Sequence, residues 1–313
     1  MTAVATERGA CPLCGIDYPH VEIAHGPDFE YRTTGNQEFR LTRCTRCRTI
    51  VLNPRPADTA IASLYPPEYE PYRFDRLNPL VKAGRDFVQR SKTRLIARYV
   101  PDGGTVVDVG CGGGALLKLL RAQTGARFRL IGWDYPGPHL DTLAAEGIAT
   151  IAAPLDSSDP PGGVDLFVLN QVIEHVPDPD RLIRRLAAAL KPGGYLLIET
   201  PNTRALDARW FGQRYWGGYH IPRHMVLFDE DNLRSLVEHV GLRVVERAHL
   251  ASPAFWVQSL HHWFTETRVS PLARACVIRN APLVAMFVLF DTIRARLGSG
   301  TSNQRLVAQR AVP

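Results

Sequence analysis

Along residues 104–250, short apolar runs alternate with longer stretches in which apolar positions recur at helical spacing. Thr105-Val106-Val107-Asp108-Val109 reads as a strand, Ala115 to Gln123 as a helix, and Phe128 to Trp133 as the next strand, ending at Asp134. A helix near Leu140–Glu146, a short strand at Ile148–Ala152 and a strand at Val164–Leu169 continue the series. Pro179 to Leu190 then reads as a helix and Tyr195 to Glu199 as a fifth strand. Asp229 to Val240 is a further helix, with Asp229 as N-cap and Gly241 at its end, and Leu242 to Leu250 is a sixth strand. A helix over roughly Leu80 to Tyr99 leads into this region, and Arg305 to Gln309 reads as a closing strand. Such alternation predicts the α/β class, with helices on both faces of a mostly parallel sheet.

Three stretches break the pattern. Within residues 1–52, the segment Tyr18 to Leu41 is polar, with β-type pieces such as Phe39-Arg40-Leu41, and cannot build a core alone. Residues 53–79 are dense in proline and tyrosine and read as a connector. In 253–298, Phe255, Trp256, Leu260, Trp263 and Phe264 recur at helical spacing, and Ala281 to Phe290 is an apolar run of ten residues, too short to span a bilayer. This stretch reads as a helical insertion in the domain that occupies 80–313. It either packs on that domain or forms a substrate lid or a membrane-surface helix.

The six cysteines sharpen the first stretch. Cys11-Pro-Leu-Cys14 and Cys44-Thr-Arg-Cys47 are two C-x2-C turns with 29 residues between them. No apolar run follows a basic N-terminal region, so no signal peptide is expected and disulfides are not expected either. Four thiolates at this spacing predict a structural Zn²⁺ site in a small ribbon over 1–52, with no coordination position left open for catalysis. Cys111 and Cys276 are expected to be ordinary thiols. The expected location is cytoplasmic, with peripheral contact at the inner face of the membrane through 253–298 as the further option.

Net charge is +6, and of 37 basic residues only Lys82, Lys92, Lys118 and Lys191 are lysines. The arginines are dispersed. Their densest groups, Arg43/Arg46/Arg48 and Arg181/Arg184/Arg185, read as solvated faces, as do Arg73, Arg76 and Arg85. No basic stripe interleaved with aromatics exists, which argues against a nucleic-acid partner.

The segment Asp108-Val109-Gly110-Cys111-Gly112-Gly113-Gly114 joins a strand to a helix, where glycines let the backbone approach a ligand. Gly110, Gly112 and Ala115 also satisfy the dinucleotide-fold spacing, and Asp134 suits two ribose hydroxyls in either case. Three features separate the readings: the carboxylate of Asp108 inside the strand, the run Asn170-Gln171-Val172-Ile173-Glu174-His175-Val176-Pro177-Asp178-Pro179, and the run Leu190-Lys191-Pro192-Gly193-Gly194 leading to Glu199-Thr200-Pro201-Asn202. In this order and spacing the chain resembles the class I S-adenosylmethionine-dependent methyltransferases over about 80–250 and the last strand. More narrowly, it resembles a bacterial subgroup with a four-cysteine zinc ribbon in front. That likeness extends to Asn53-Pro54-Arg55-Pro56, the tyrosine-rich connector and Tyr215-Trp216-Gly217-Gly218-Tyr219-His220-Ile221-Pro222-Arg223-His224.

The resemblance implies a Rossmann-like seven-stranded sheet, order 3-2-1-4-5-7-6, with the last strand antiparallel. It implies S-adenosylmethionine as cofactor, with Asp108, Gly110, Gly112 and Gly114 forming its loop and Asp134 on the ribose. Asp156 or a neighbouring N–H would meet the adenine, and Asn170 and Gln171 would border the methionine part and the substrate. Methyl transfer to an alcohol needs a proton acceptor, and His175, His220 and His224 are the candidates, His220 foremost. Arg223 beside it would hold an anionic group. Some related quinone O-methyltransferases bind a divalent cation with an extra acid three positions before the glutamate; Gln171 stands there, so metal assistance is not expected. The expected acceptor is a hydroxyl, or alternatively a carbon, of a small molecule, sugar or lipid-linked intermediate. The competing readings are an RNA or protein methyltransferase using the ribbon to bind its partner, and a non-catalytic cofactor-fold module.

Overall fold

A computed structural model describes residues 3–17, 20–66, 79–155 and 157–312. Asp156, Arg73, Arg76 and most of the tyrosine-rich connector lie outside the described residues, and so does the side chain of Arg85. The N-terminal part carries β1 (Thr6–Glu7), β2 (His20–Gly26), β3 (Phe39–Cys44), β4 (Ile50–Leu52) and β5 (Arg55–Pro56). Helix α1 (Pro79–Tyr99) leads to β6 (Gly104–Val109), α2 (Ala115–Thr124), β7 (Phe128–Asp134), α3 (Pro138–Ala145), β8 (Ala149–Ala152) and β9 (Val164–Asn170). Then follow α4 (Pro179–Ala189), β10 (Leu190–Pro201), α5 (Leu206–Phe211), β11 (Val226–Leu227), α6 (Glu230–His239) and β12 (Leu242–Leu250). The chain closes with α7 (Pro253–Glu266), α8 (Ser270–Ala275), α9 (Ala281–Arg296) and β13 (Asn303–Arg310).

The central sheet runs β12-β13-β10-β9-β6-β7-β8. Strands β6 to β10 are mutually parallel, and β13 is antiparallel to both β10 and β12. This is the expected order. Successive residues face opposite sides: Val107, Val109, Phe167, Leu169, Leu196 and Ile198 enter one core, and Val106, Leu166, Val168, Leu197 and Val307 the other. That two-sided burial requires helices on both faces. Helix α4 starts at Pro179 behind Asp178, whose side chain accepts the Arg181 N–H. Helix α6 starts at the expected N-cap Asp229, which forms a capping box with Asn232.

Two elements differ from expectation. Strand β10 begins at Leu190, with a register irregularity before Tyr195 where Gly193 takes a φ of 79°. Helix α5 is a short addition whose only buried side chain is Asp207, so it has no apolar period to read.

The N-terminal part is not a free-standing unit. Its sheet runs β11-β4-β3-β2, and β11 comes from the large domain. Phe39, Leu41, Ile50 and Leu52 share one core with Trp216, Tyr219, Ile221 and Leu227. Asp28 and Arg223, both fully buried, close the junction: the Arg223 guanidinium donates to Asp28 at 3.0 and 2.8 Å, and its Nε–H donates to the Leu64 carbonyl at 2.8 Å. Burial alone would raise the Asp28 carboxyl, but Arg223 and the N–H donors of Tyr31 and Thr33 hold it well below the usual carboxylate range. The stability it contributes is therefore present at neutral pH and lost as pH falls through the acidic range.

Breaking this pair strands a buried charge. Asp28→Ala should destabilise the protein by about 3–5 kcal/mol in urea denaturation, while Asp28→Leu with Arg223→Met recovers most of the loss. A single variant as stable as wild type would contradict the role.

Candidate functional site

The carboxyl ends of β6, β7 and β9 lie side by side, and the glycine loop leaves β6 at the point where neighbouring strands continue in opposite directions, the usual crevice of open α/β sheets. Gly110, Gly112 and Gly114 have φ of 67°, 52° and 72°. A Cβ on Gly110 would come 2.6 Å from Val172 Cγ2, and one on Gly114 2.4 Å from Leu143 Cδ1. The loop therefore admits no side chain on these two counts, and its bare backbone faces the crevice.

Asp134 ends β7 and ties the loop in place. Its two oxygens accept the N–H groups of Gly112 and Tyr135, each at 2.7 Å. Burial raises its carboxyl, and these donors oppose the rise. Each oxygen keeps a second lone pair for a ligand hydroxyl. Asp108, 4 % exposed, is pushed up to about 7 by burial, with Lys92 opposing and the Asp134 charge adding. A cationic ligand is what would favour its ionised form.

Asn170 and Gln171 sit where β9 ends. Asn170 Oδ1 accepts from Lys92 Nζ at 2.7 Å. Gln171, at a φ of 57°, turns its amide to donate to Asn303 Oδ1 at 3.0 Å. Lys92 also pairs with Glu199 at 2.7 Å, and Glu199 with Arg305 at 2.7 Å. Burial opposes ionisation of Glu199, but these two cations hold it below its ordinary value. Sequence reasoning missed this buried network. Its one signal was a carboxylate in the otherwise uncharged run Tyr195 to Asn202.

The three candidate histidines meet beyond the end of β9, where the Ile173–His175 turn follows the strand. The rings of His175, His220 and His224 have centroids 4.6, 4.9 and 5.9 Å apart. His220 Nδ1 lies 2.7 Å from Glu30 Oε1. Burial would raise Glu30, yet its pairing with His220 keeps the carboxyl low. His175 Nδ1 lies 3.1 Å from the Tyr65 hydroxyl. His224 Nδ1–H donates to the Gly218 carbonyl at 2.8 Å, which leaves its Nε2 as the acceptor. Burial pulls His175 and His224 well below the ordinary histidine value, so both are neutral imidazoles.

Glu174 lies under the histidines, fully buried and pushed up to about 8 by burial. Its Oε2 accepts from Thr200 at 2.8 Å, its Oε1 has no hydrogen-bond partner, and His224 Nε2 is 3.9 Å away. The ligating atoms of Glu174, His175 and His224 all lie within 4.8 Å of one another, close enough to hold a cation. Gln171 takes no part in that group.

One expectation is corrected. Arg223 does not face the site as a cation for an anionic acceptor. It is 0 % exposed, its donors are taken by Asp28 and Leu64, and its guanidinium lies 4.5 Å over the Tyr31 ring. Glu30, Tyr31 and Tyr65 were missed because they come from the ribbon and connector, more than 100 residues from the histidines they touch. His262, given no role from sequence, is buried on α7, stacks on Phe29 at 4.8 Å and is lowered to about 4 by burial.

Cys11, Cys14, Cys44 and Cys47 converge within the ribbon, their sulfurs within 4.8 Å of one another, and Leu13 of the first turn packs against the core of the large domain. Cys11 and Cys47 Sγ are 3.5 Å apart, and Cys14 and Cys44 Sγ 3.6 Å. Zinc–thiolate bonds of about 2.3 Å place tetrahedral sulfurs roughly 3.8 Å apart, so the set fits Zn²⁺. Both turns are closed alike: the Gly15 N–H donates to the Cys11 carbonyl and the Arg48 N–H to the Cys44 carbonyl, with Gly15 and Arg48 at φ of 67° and 65°. Burial raises the thiols of Cys111 and Cys276, which lie outside this group.

Residues 84–247, slightly more than half of the chain, match the family described as a methyltransferase domain, and the chain belongs to that family. With the sheet order and glycine loop, this places it among the S-adenosylmethionine-dependent methyltransferases. The ubiquinone biosynthesis O-methyltransferase of Cupriavidus pinatubonensis is 35% identical over 106 residues, which is 32% of this chain and 42% of that protein. The protein of the same name from Leptothrix cholodnii is 29% identical over 145 residues, 44% of this chain and 57% of that one. The chain thus spans about half the length of the curated relatives it matches. The solved 1,6-didemethyltoxoflavin-N1-methyltransferase of Burkholderia thailandensis shares the fold, with a TM-score of 0.50 at 15% identity over 86% of this chain and 98% of that one.

The ribbon makes a direct prediction. Elemental analysis should find zinc bound at one equivalent per chain, and stripping it with a strong chelator should lower Tm. Metal-free protein with an unchanged Tm contradicts the assignment.

Proposed function

We propose that this chain transfers a methyl group from S-adenosylmethionine to a hydroxyl of a small molecule, a sugar or a lipid-linked intermediate, with His220 as the proton acceptor. The observation that carries this reading is the 2.7 Å contact between His220 and Glu30 beside His175 and His224. Two curated relatives named as O-methyltransferases support oxygen over carbon as the acceptor atom.

The glycine loop, Asp108 and Asp134 are the residues that would hold the cofactor, and Asn170 and Gln171 would border its methionine end. Bound there, S-adenosylmethionine supplies a methyl group already activated for in-line displacement, so the protein's main task is alignment. Glu30 fixes the His220 ring and accepts its Nδ1–H, so Nε2 is the nitrogen that would take the acceptor proton. The carboxylate then stabilises the imidazolium that forms. His175 and His224, kept neutral by burial, add no competing positive charge beside it. Cys11, Cys14, Cys44 and Cys47 would hold a zinc ion that stabilises the ribbon delivering Glu30 and, with four thiolates completing its shell, would take no chemical part.

The chemistry is tested by methyl transfer from radiolabelled S-adenosylmethionine to a panel of hydroxylated acceptors. His220→Ala should lower kcat by about 10²–10⁴-fold while cofactor affinity stays unchanged. Undiminished turnover would remove His220 as the base.

The cofactor assignment has its own test. Asp108 sits at about 7 in the ligand-free protein, and a bound sulfonium favours its ionised form. Affinity for S-adenosylmethionine should therefore rise from pH 6 toward pH 8, with proton release near pH 6, read by calorimetry in buffers of differing ionisation enthalpy. A pH-independent affinity without proton release contradicts that placement.

A further inference from the structure

The helical insertion carries an apolar surface that the fold does not cover. In α9 the buried side chains are Phe287 and Asp291, and Asp291 accepts the Trp256 indole N–H at 3.1 Å. Another side carries Met286, Leu289, Ile293 and Leu297, spaced three, four and four residues apart and 52%, 62%, 49% and 77% exposed. A helix on a globular domain ordinarily turns such a stripe to the core. Trp256 joins this region to more exposed aromatic surface: Phe290 lies 5.5 Å from it, and Trp210, 67% exposed, 5.7 Å. Leu272 and Ile278 add exposed apolar side chains in the same insertion.

The charges say what this surface fits. The exposed charged side chains of 263–298 are Glu266, Arg268, Arg274, Arg279 and Arg296. Glu266 lies 3.6 Å from Arg214, and the rest are all arginines. A second copy is a poor match, because a two-fold interface would set these arginines against themselves. An anionic surface with an apolar interior matches both features.

We propose that the insertion docks on a membrane containing anionic phospholipid, with Leu289, Ile293, Leu297 and Trp210 entering the boundary of the acyl region and the arginines meeting the headgroup phosphates. Helix α7 connects this surface to the histidines. Its Ser259 hydroxyl oxygen accepts the Gly217 N–H at 2.8 Å, and its His262 stacks on Phe29, next to Glu30. Docking would thus hold the histidine site close to the lipid surface, though the contact itself requires nothing about the acceptor. No helix among the described residues is long and apolar enough to cross a membrane, so the contact is peripheral.

The test is co-sedimentation of the zinc-loaded full chain with phosphatidylcholine vesicles, with and without phosphatidylglycerol. Wild type should pellet with the anionic vesicles and dissociate in part at high salt. Leu289→Asp with Ile293→Asp should weaken pelleting by about tenfold or more while leaving S-adenosylmethionine affinity, measured by calorimetry, unchanged. Replacing Arg268, Arg274, Arg279 and Arg296 by Gln should remove the preference for anionic vesicles. Wild-type protein that stays in the supernatant with both vesicle types overturns the proposal. So does a dimer in analytical ultracentrifugation that the Leu289/Ile293 variant abolishes, since the face then belongs to a second copy.

Discussion

The buried pair of Asp28 and Arg223 is the constraint on which the site depends. Arg223 lies between His220 and His224 in sequence, and Asp28 lies two residues before Glu30. Two ions with no exposure to water are tolerable only with nearly all donors and acceptors matched, and here the guanidinium is shared among Asp28 and the Leu64 carbonyl. One charge pair therefore sets the distance between a ribbon loop and a loop of the large domain. The 2.7 Å contact between Glu30 and His220 lies within that frame.

The ribbon is accordingly more than an appended module. Its sheet is completed by β11, its apolar core is shared with Trp216 and Tyr219, and its four cysteines fit a zinc ion. A short polar segment gains little from hydrophobic burial, so a metal on the four cysteines would add, with the large domain, what its own core lacks. The methyltransferase domain in turn relies on the ribbon and connector for the groups that touch its histidines: Glu30 on His220 and Tyr65 on His175.

Much of the fold was legible in the sequence because its signals are local. The central strands are buried on both faces and read as unbroken apolar runs, and the glycine loop, Asp134 and the helix caps are set by neighbouring residues. The C-x2-C pairs were legible because ligand spacing is itself the geometry. What sequence could not show is long-range. Nothing local to Arg223 says that its charge is consumed by Asp28, and nothing near Glu30 points to a histidine 190 residues away. The Lys92–Glu199–Arg305 network joins α1, β10 and β13, and only the closed sheet brings them together. The grouping of Glu174 and His175 with His224 is of the same kind: Gln171 was read by its place in a motif, whereas His224 arrives from another loop.

The central claim is that the ribbon and the methyltransferase domain build one site, with Glu30 from the first orienting His220 of the second. The most direct measurement is kcat for methyl transfer by a Glu30→Gln variant at saturating S-adenosylmethionine, alongside its cofactor affinity and Tm. The account predicts a fall in kcat of about tenfold or more, since the amide cannot stabilise an imidazolium as a carboxylate does, with cofactor affinity and Tm close to wild type. A variant that folds, binds the cofactor and turns over at the wild-type rate would contradict it.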